Sequence, residues 1–291
     1  VKKSCYNWLI SGNRWCKLIK YLRIEGKKSG GAELSTYIEN FKRFRPLLNE
    51  LVARDIKIKY RRSIMGVLWT LLNPLLMMIV LSVVFSNLFK FNIENFPLYL
   101  LSGQLIFNFY SDATNNSMGA IIMNAPLIKK VYVPKYLFVL SRVVSSVINL
   151  MASFTALLFV MAAMRAELHW TAFLSVIPMC MLVVFSLGVS LILSAVVVKF
   201  RDIMHLYSVF ITALMYLTPV IYPMSILPHW MVYVVWANPI TNYLDMFRDL
   251  MLYNSLPHLW QLGLGVLEAV VALVIGLIVF YKKQDEFILN L

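Results

Sequence analysis

Few residues in this chain are arranged to do chemistry on their own. There is no GxxxxGK(S/T) phosphate loop, no HExxH and no GxSxG. The four histidines, His169, His205, His229 and His258, stand singly in connections or at the ends of apolar runs, and Cys5, Cys16 and Cys180 lack CxxC spacing. Neither set supplies convergent ligands, so no metal, no disulfide and no catalysis by this chain alone are expected. What remains is charge in costly places. Asp112 and Glu268 fall within or beside long apolar stretches, where an ionised acid is expensive and is a functional candidate by default. A proton-coupled transporter would show more such acids, each with a visible partner. Asp112 stands amid Gln104, Asn108, Ser111, Thr114, Asn115, Asn116 and Ser117, polarity that suits the wall of an aqueous channel; Glu268 lies near one end of its helix, within reach of the interface.

Membrane helices must position these groups. Of 291 residues, 60% are hydrophobic and only 14% charged, with mean hydropathy +0.73, whereas a soluble domain is roughly a quarter charged. A span takes roughly 20 apolar residues to cross about 30 Å of hydrocarbon. Six runs approach that length: Gly66–Phe85, Leu98–Ile122, Val143–Met164, Ala172–Val198, Leu206–Tyr222 and Leu262–Tyr281, the second diluted by the polar residues around Asp112. The stretches 1–65, 123–142, 199–205 and 282–291 carry 24 of the 27 Lys and Arg residues; the other connections hold only Lys90, Arg165 and Arg248. By the positive-inside rule both termini are cytoplasmic, which requires an even number of spans and retains the second. The net charge of +13 then reads as topogenic and as attraction to anionic membrane lipids, not as a footprint for nucleic acid.

Residues 1–33 form a basic extension in which Trp8, Trp15 and Leu18 alternate with Lys and Arg; a surface-lying amphipathic helix and a disordered basic tail fit equally, and no cleaved signal peptide is expected. Over residues 34–62 the spacing of Leu34, Tyr37, Ile38, Phe41 and Phe44 predicts an interface helix, broken or kinked at Pro46 before a second amphipathic helix. Residues 63–291 form the six-span domain. Within it, Ala125–Lys135 (APLIKKVYVPK) predicts either a short helix between Pro126 and Pro134 or an ordinary basic loop. Pro223–Trp236 is too short to span and too apolar for a loop in water, so it is expected to be re-entrant or to lie in the interface.

Arg54–Leu76 (RDIKIKYRRSIMGVLWTLLNPLL) resembles the approach to the first span in permease subunits of ATP-binding-cassette exporters of polysaccharide and polyol phosphate, with Arg54, Asp55, Lys57, Tyr60, Arg61, Ser63, Gly66, Trp69 and Pro74 in the family's places. Lys199–Ile203 (KFRDI), Thr218–Pro228 (TPVIYPMSILP) and Asn238–Leu250 (NPITNYLDMFRDL) follow in the family's order. The resemblance covers about residues 35–285. It implies an all-α homodimer of six-span chains in a bacterial inner membrane, assembled with two soluble ATPase subunits that hold ATP and Mg, with no cofactor in this chain. It further implies an ATPase-coupling element at Ala125, Pro126, Lys129, Lys130, Tyr132 and Pro134, with Arg201 and Asp202, and an interface helix carrying Tyr37, Phe41 and Phe44. A translocation path would run past Trp69, Asp112, Tyr207, Phe210 and Tyr216 to an outer gate of short re-entrant helices at Pro223, Met224, Leu227 and Trp230. Lys57, Lys59, Arg61 and Arg62 would attract the pyrophosphate of a lipid-linked O-antigen, capsular or teichoic-acid-like polymer, although the same charges serve as topogenic signals. A permease for drugs or free lipids and a stand-alone secondary transporter or scramblase are the rival readings.

Overall fold

The computed structural model describes residues 34–60, 68–88, 95–131 and 133–287, with side chains for 44–59, 68–85, 95–131 and 133–287. The expectations for residues 1–33, for Arg61, Arg62 and Tyr132, and for the side chains of Tyr37 and Phe41 lie outside the described residues. Among the described residues all regular structure is helical: α1 Leu34–Tyr60, α2 Leu68–Leu88, α3 Phe96–Met118, α4 Ala120–Met123, α5 Ala125–Ile128, α6 Tyr136–Ala163, α7 Val176–Val197, α8 Ile203–Leu217, α9 His229–Trp236, α10 Pro239–Met251 and α11 Leu259–Lys283, with 3₁₀ turns at Trp170–Ser175, Met224–Ile226 and Gln284–Glu286.

Four stretches are long and apolar enough to cross a membrane: Leu68–Phe85, Tyr136–Ala163, Trp170–Val197 and Leu259–Glu286. The other two expected runs fall short for different reasons. α3 has the length, with 23 residues, but carries the polar residues around Asp112. α8 is apolar but has only 15 residues, about 22 Å at 1.5 Å per residue. It ends before Tyr222 because Thr218, which precedes Pro219, turns to extended backbone. Of the break or kink expected at Pro46, the break is absent, for α1 runs through the proline as one helix. Phe44, Leu47, Leu48, Leu51 and Val52 are buried on both sides of the proline, and that packing outweighs a backbone cost of about 3 kcal/mol. Finally, Pro223–Trp236 holds a 3₁₀ turn and the short helix α9, and α10 follows from Pro239. The side chain of Asn238 accepts from the Ile240 amide at 3.1 Å and sets that start.

α3 is the hub, packed by α2, α6, α7, α8 and α10. One apolar core surrounds it, and a second joins Phe44, Leu47 and Leu51 of α1 to Ile128, Leu137, Phe138, Phe280 and Phe287. The closest helix pair is α7 with α11. A Cβ built on Gly188 would lie 2.3 Å from the Ala272 backbone carbon, and one on Gly276 would lie 2.4 Å from the Gly188 carbonyl oxygen. Small residues let helix backbones approach where lipid gives little apolar driving force for association. Gly188→Ala is therefore expected to destabilise the fold by about 1–3 kcal/mol through overpacking, read as a lower melting temperature in detergent. Gly263→Ala, with nothing within 4 Å of the new methyl group, should not lower it.

Candidate functional site

Two polar networks lie at opposite ends of α3, with an open groove between them. The first begins at Asp55 on α1, only 8% exposed. Its carboxylate meets Arg54 at 3.2 Å and Arg142 of α6 at 3.4 Å. Arg54 also donates to the Asn124 side-chain oxygen at 3.0 Å, and the Asn124 amide donates to the Ala120 carbonyl at 2.7 Å. Asn124 immediately precedes α5, whose far end runs into Lys129 and Lys130, both exposed. One buried carboxylate thus fastens α1, the α4–α5 corner and α6 together. Lys135 closes the same end by donating to the Gln284 carbonyl and lying 5.5 Å over the Phe287 ring. Lys57, Lys59, Arg201 and Asp202 are exposed.

The second network centres on Arg248 of α10, which is 3% exposed. Its guanidinium donates to the carbonyls of Pro219 at 2.7 Å, Tyr99 at 3.1 Å and Val220 at 3.2 Å and to the Ser102 hydroxyl at 3.3 Å, and lies 3.5 Å over the Tyr99 ring. The Tyr99 hydroxyl donates to the Tyr222 carbonyl at 3.0 Å. Asn238 donates to the Thr218 hydroxyl at 2.8 Å. The carbonyls exposed where α8 unwinds at Thr218–Tyr222 thereby find partners that a membrane could not supply. Gly103 has to be glycine here, since a Cβ would come within 2.7 Å of the guanidinium. Burial pushes the Asp245 carboxyl up to about 6 despite the nearby Arg248 charge.

Between the networks, α2 and α8 each pack on α3 but scarcely on each other, which leaves α3 as the floor of a groove with two walls. Trp69 on α2 and Phe210 and Tyr216 on α8 are exposed, and so is Asp112 on the floor. Tyr207, on the same α8 wall, instead faces the core, with its hydroxyl 3.5 Å from that of Tyr110. A cleft of ≈ 330 Å³ is lined by Tyr110, Phe185, Phe210, Asn238 and Pro239. Beyond it, Pro223, Met224 and Leu227 are half-buried and Trp230 is exposed.

Residues 46–252 match the family described as ABC-2 type transporter. The chain belongs to that family. The residues joined around Asp55 and around Arg248 lie inside the matched stretch, whereas Gln284 and Phe287, which Lys135 meets, lie beyond it. The ABC-2 chain is 30% identical, over 84% of its length and 95% of the relative, to the O-antigen export system permease protein RfbA of Myxococcus xanthus. It is 27% identical to RfbA of Klebsiella pneumoniae, over 83% of its length and 93% of the relative. With the polysialic acid transport protein KpsM of Escherichia coli the figures are 23%, 82% and 94%. Sequence reasoning found Arg54, Asp55 and Asn238 only as parts of motifs, and Arg248 as part of a motif and as a stray cation. It missed their partners Tyr99, Ser102, Asn124 and Arg142 in this ABC-2 chain, which come from other helices and carry no local signal.

Proposed function

We propose that this chain is the transmembrane subunit of an ATP-driven exporter that moves a lipid-linked polysaccharide from the cytoplasm across the inner membrane. The observation that carries the reading is the Asp55 network. Through Asn124 and Arg54 it ties the segment holding exposed Lys129 and Lys130 to α1 and α6, and α6 packs on both α2 and α3. A push on that segment would reach the helices that bound the groove. Both termini are cytoplasmic in this reading, and α3 and α8 complete six spans. Ala125–Lys135 is the coupling helix, Arg201 and Asp202 add contacts, and α1 is the interface helix. Two copies pair with two ATPase subunits, which bind ATP and Mg. Trp69, Asp112, Phe210 and Tyr216 line the path with Tyr207 behind them, and the segment from Pro223 through α9 is the outer gate. Lys57 and Lys59, with Arg61 and Arg62, draw the carrier pyrophosphate. The relatives named above are O-antigen and polysialic acid transport proteins, which supports a glycan over a drug or a free lipid.

Co-purification tests the proposal. Tagged chain expressed with the ATPase encoded beside it should bring that ATPase down. Lys129→Glu with Lys130→Glu should cut the recovered ATPase about tenfold or more, the penalty of reversing charges at a complementary interface, while the elution profile of the chain stays the same. A well-folded wild-type chain that recovers no ATPase would contradict the proposal and favour a stand-alone transporter.

A further inference from the structure

The groove floor carries a pattern that selects among polymers. Asn108, Asp112 and Asn116 recur every four residues on α3, all three are exposed, and the residues between them on the opposite face (Phe109, Tyr110, Ala113, Thr114, Ser117) are buried. At 1.5 Å per residue the three side chains form a ladder about 12 Å long. None of the three makes a side-chain hydrogen bond among the described residues. By contrast, their neighbours Asn115 and Thr114 are taken up by their own helix, donating to the Ser111 carbonyl at 3.0 Å and the Tyr110 carbonyl at 2.8 Å. Lipid could not face such a row, because unsatisfied amides at membrane depth cost several kcal/mol each. The row instead meets what lies between the α2 and α8 walls.

The charge on those walls is one-sided. Among the described residues, α2 contains no charged side chain, α8 none but the histidine His205, and α3 only Asp112. The cation whose charge reaches Asp112 is Lys59, on α1 and so outside the three groove helices. Among the exposed residues of α2 and α8, Trp69, Asn73, Ser208, Phe210, Thr212 and Tyr216 are aromatic, hydroxyl or amide, and the others are apolar apart from His205. Ser208 and Thr212 are satisfied internally through the carbonyls of His205 and Ser208. Amide and carboxylate acceptors opposite flat rings suit sugar hydroxyls and C–H faces. A polymer bearing a carboxylate or phosphate on every repeat would meet Asp112 with only Lys59, from outside the groove helices, to offset it.

We infer that the Asn108–Asp112–Asn116 ladder is a hydrogen-bonding track for an uncharged glycan and that Asp112 disfavours polyanionic chains. This deepens the exporter reading and rests on it. The track holds sugars through hydroxyls donated to the Asp112 carboxylate and the two amide oxygens, and it discriminates by repulsion as well as by attraction.

The test uses the chain with its ATPase subunits in sealed vesicles. Two polymers are supplied on the same polyprenyl pyrophosphate and at the same length: a neutral hexose glycan and a polyuronate in which every second sugar carries a carboxylate. The wild-type transporter should export the neutral polymer about tenfold faster or more, the scale of one unit charge met in a partly wet site. Asp112→Asn should narrow that ratio and Asp112→Lys should reverse it. Asn108→Leu with Asn116→Leu should slow the neutral polymer and leave the ratio unchanged, which separates the track from the charge filter. Equal export of both polymers by the wild type, or a ratio unmoved by Asp112→Lys, would overturn the inference and leave the exporter standing. ATP-dependent export of neither polymer would sink the exporter reading, and the inference with it.

Discussion

Arg248→Met should yield a chain that inserts but does not hold together at the end where α8 unwinds. The substitution keeps the length and the apolar stem of the side chain. It strips donors from the carbonyls of Tyr99, Pro219 and Val220 and from the Ser102 hydroxyl, all at a site only 3% exposed. Each buried acceptor left unmatched costs about 1–3 kcal/mol, not additively, so a loss on the order of 3–5 kcal/mol is expected, as when one partner of a buried charged arrangement is removed. Arg248→Lys should recover only part of it, because one ammonium cannot reach four acceptors from a planar fork or stack on the Tyr99 ring. The measurement is thermal unfolding in detergent, followed by size-exclusion recovery. Proteolysis in the 218–258 stretch should appear first, since this residue supplies the polar bonds from α10 to Tyr99, Ser102, Pro219 and Val220. If Arg248→Met melts with the wild type, the guanidinium is not what holds this end.

Asp55→Ala should do its damage at the other end of α3. It leaves Arg54 and Arg142 facing each other at a partly buried site without the carboxylate that both now share. About 3–5 kcal/mol is expected from breaking such a pair. A cycle of Asp55→Ala and Arg142→Ala should show strong coupling, because removing both leaves less uncompensated charge than removing one. Function should be the more sensitive readout. With Arg54 no longer held against Asp55, its bond to Asn124 loses its anchor and the α4–α5 corner can move without α1. The expected result is ATPase activity retained in the assembled complex while export falls at least in proportion to the lost latch. Were export and ATPase activity to fall together with binding intact, the network would be structural and not a transmission element.

The helical, multi-pass character of the chain could be read directly, because apolar runs and the distribution of Lys and Arg are local properties of the sequence. Lengths near the run ends were harder. α6 begins at Tyr136, seven residues ahead of the expected Val143, since Ser141 and Arg142 find partners within the protein and do not have to stay in water. α8 stops short of Tyr222 because the carbonyls just past its end are met by Arg248 and Tyr99, which lie 28 to 123 residues away along the chain and leave no periodic trace. Pro46 stayed inside a helix because tertiary burial around it outweighed a local rule. Arg248 itself read from sequence as one of three stray cations in the charge-poor connections; nothing short of its neighbours in space distinguishes a buried anchor from a surface charge. Asp112 is the opposite case. Its amide-rich surroundings already marked α3 as unfit to face lipid, and the packing of α2 and α8 on α3 supplied the groove that gives this polarity a purpose.

The central claim is that this chain carries a lipid-linked polysaccharide outward using a partner's ATP hydrolysis. It is tested most directly by asking on which side of the membrane the polymer accumulates. In spheroplasts, a lectin specific for the cell's own surface polymer reaches only what has crossed the inner membrane. Cells lacking this chain should stain only after the membrane is permeabilised. Restoring the chain should make intact spheroplasts stain, and a hydrolysis-dead ATPase partner should abolish that staining. Polymer accessible from outside in cells lacking the chain, or in cells whose partner cannot hydrolyse ATP, would contradict the account.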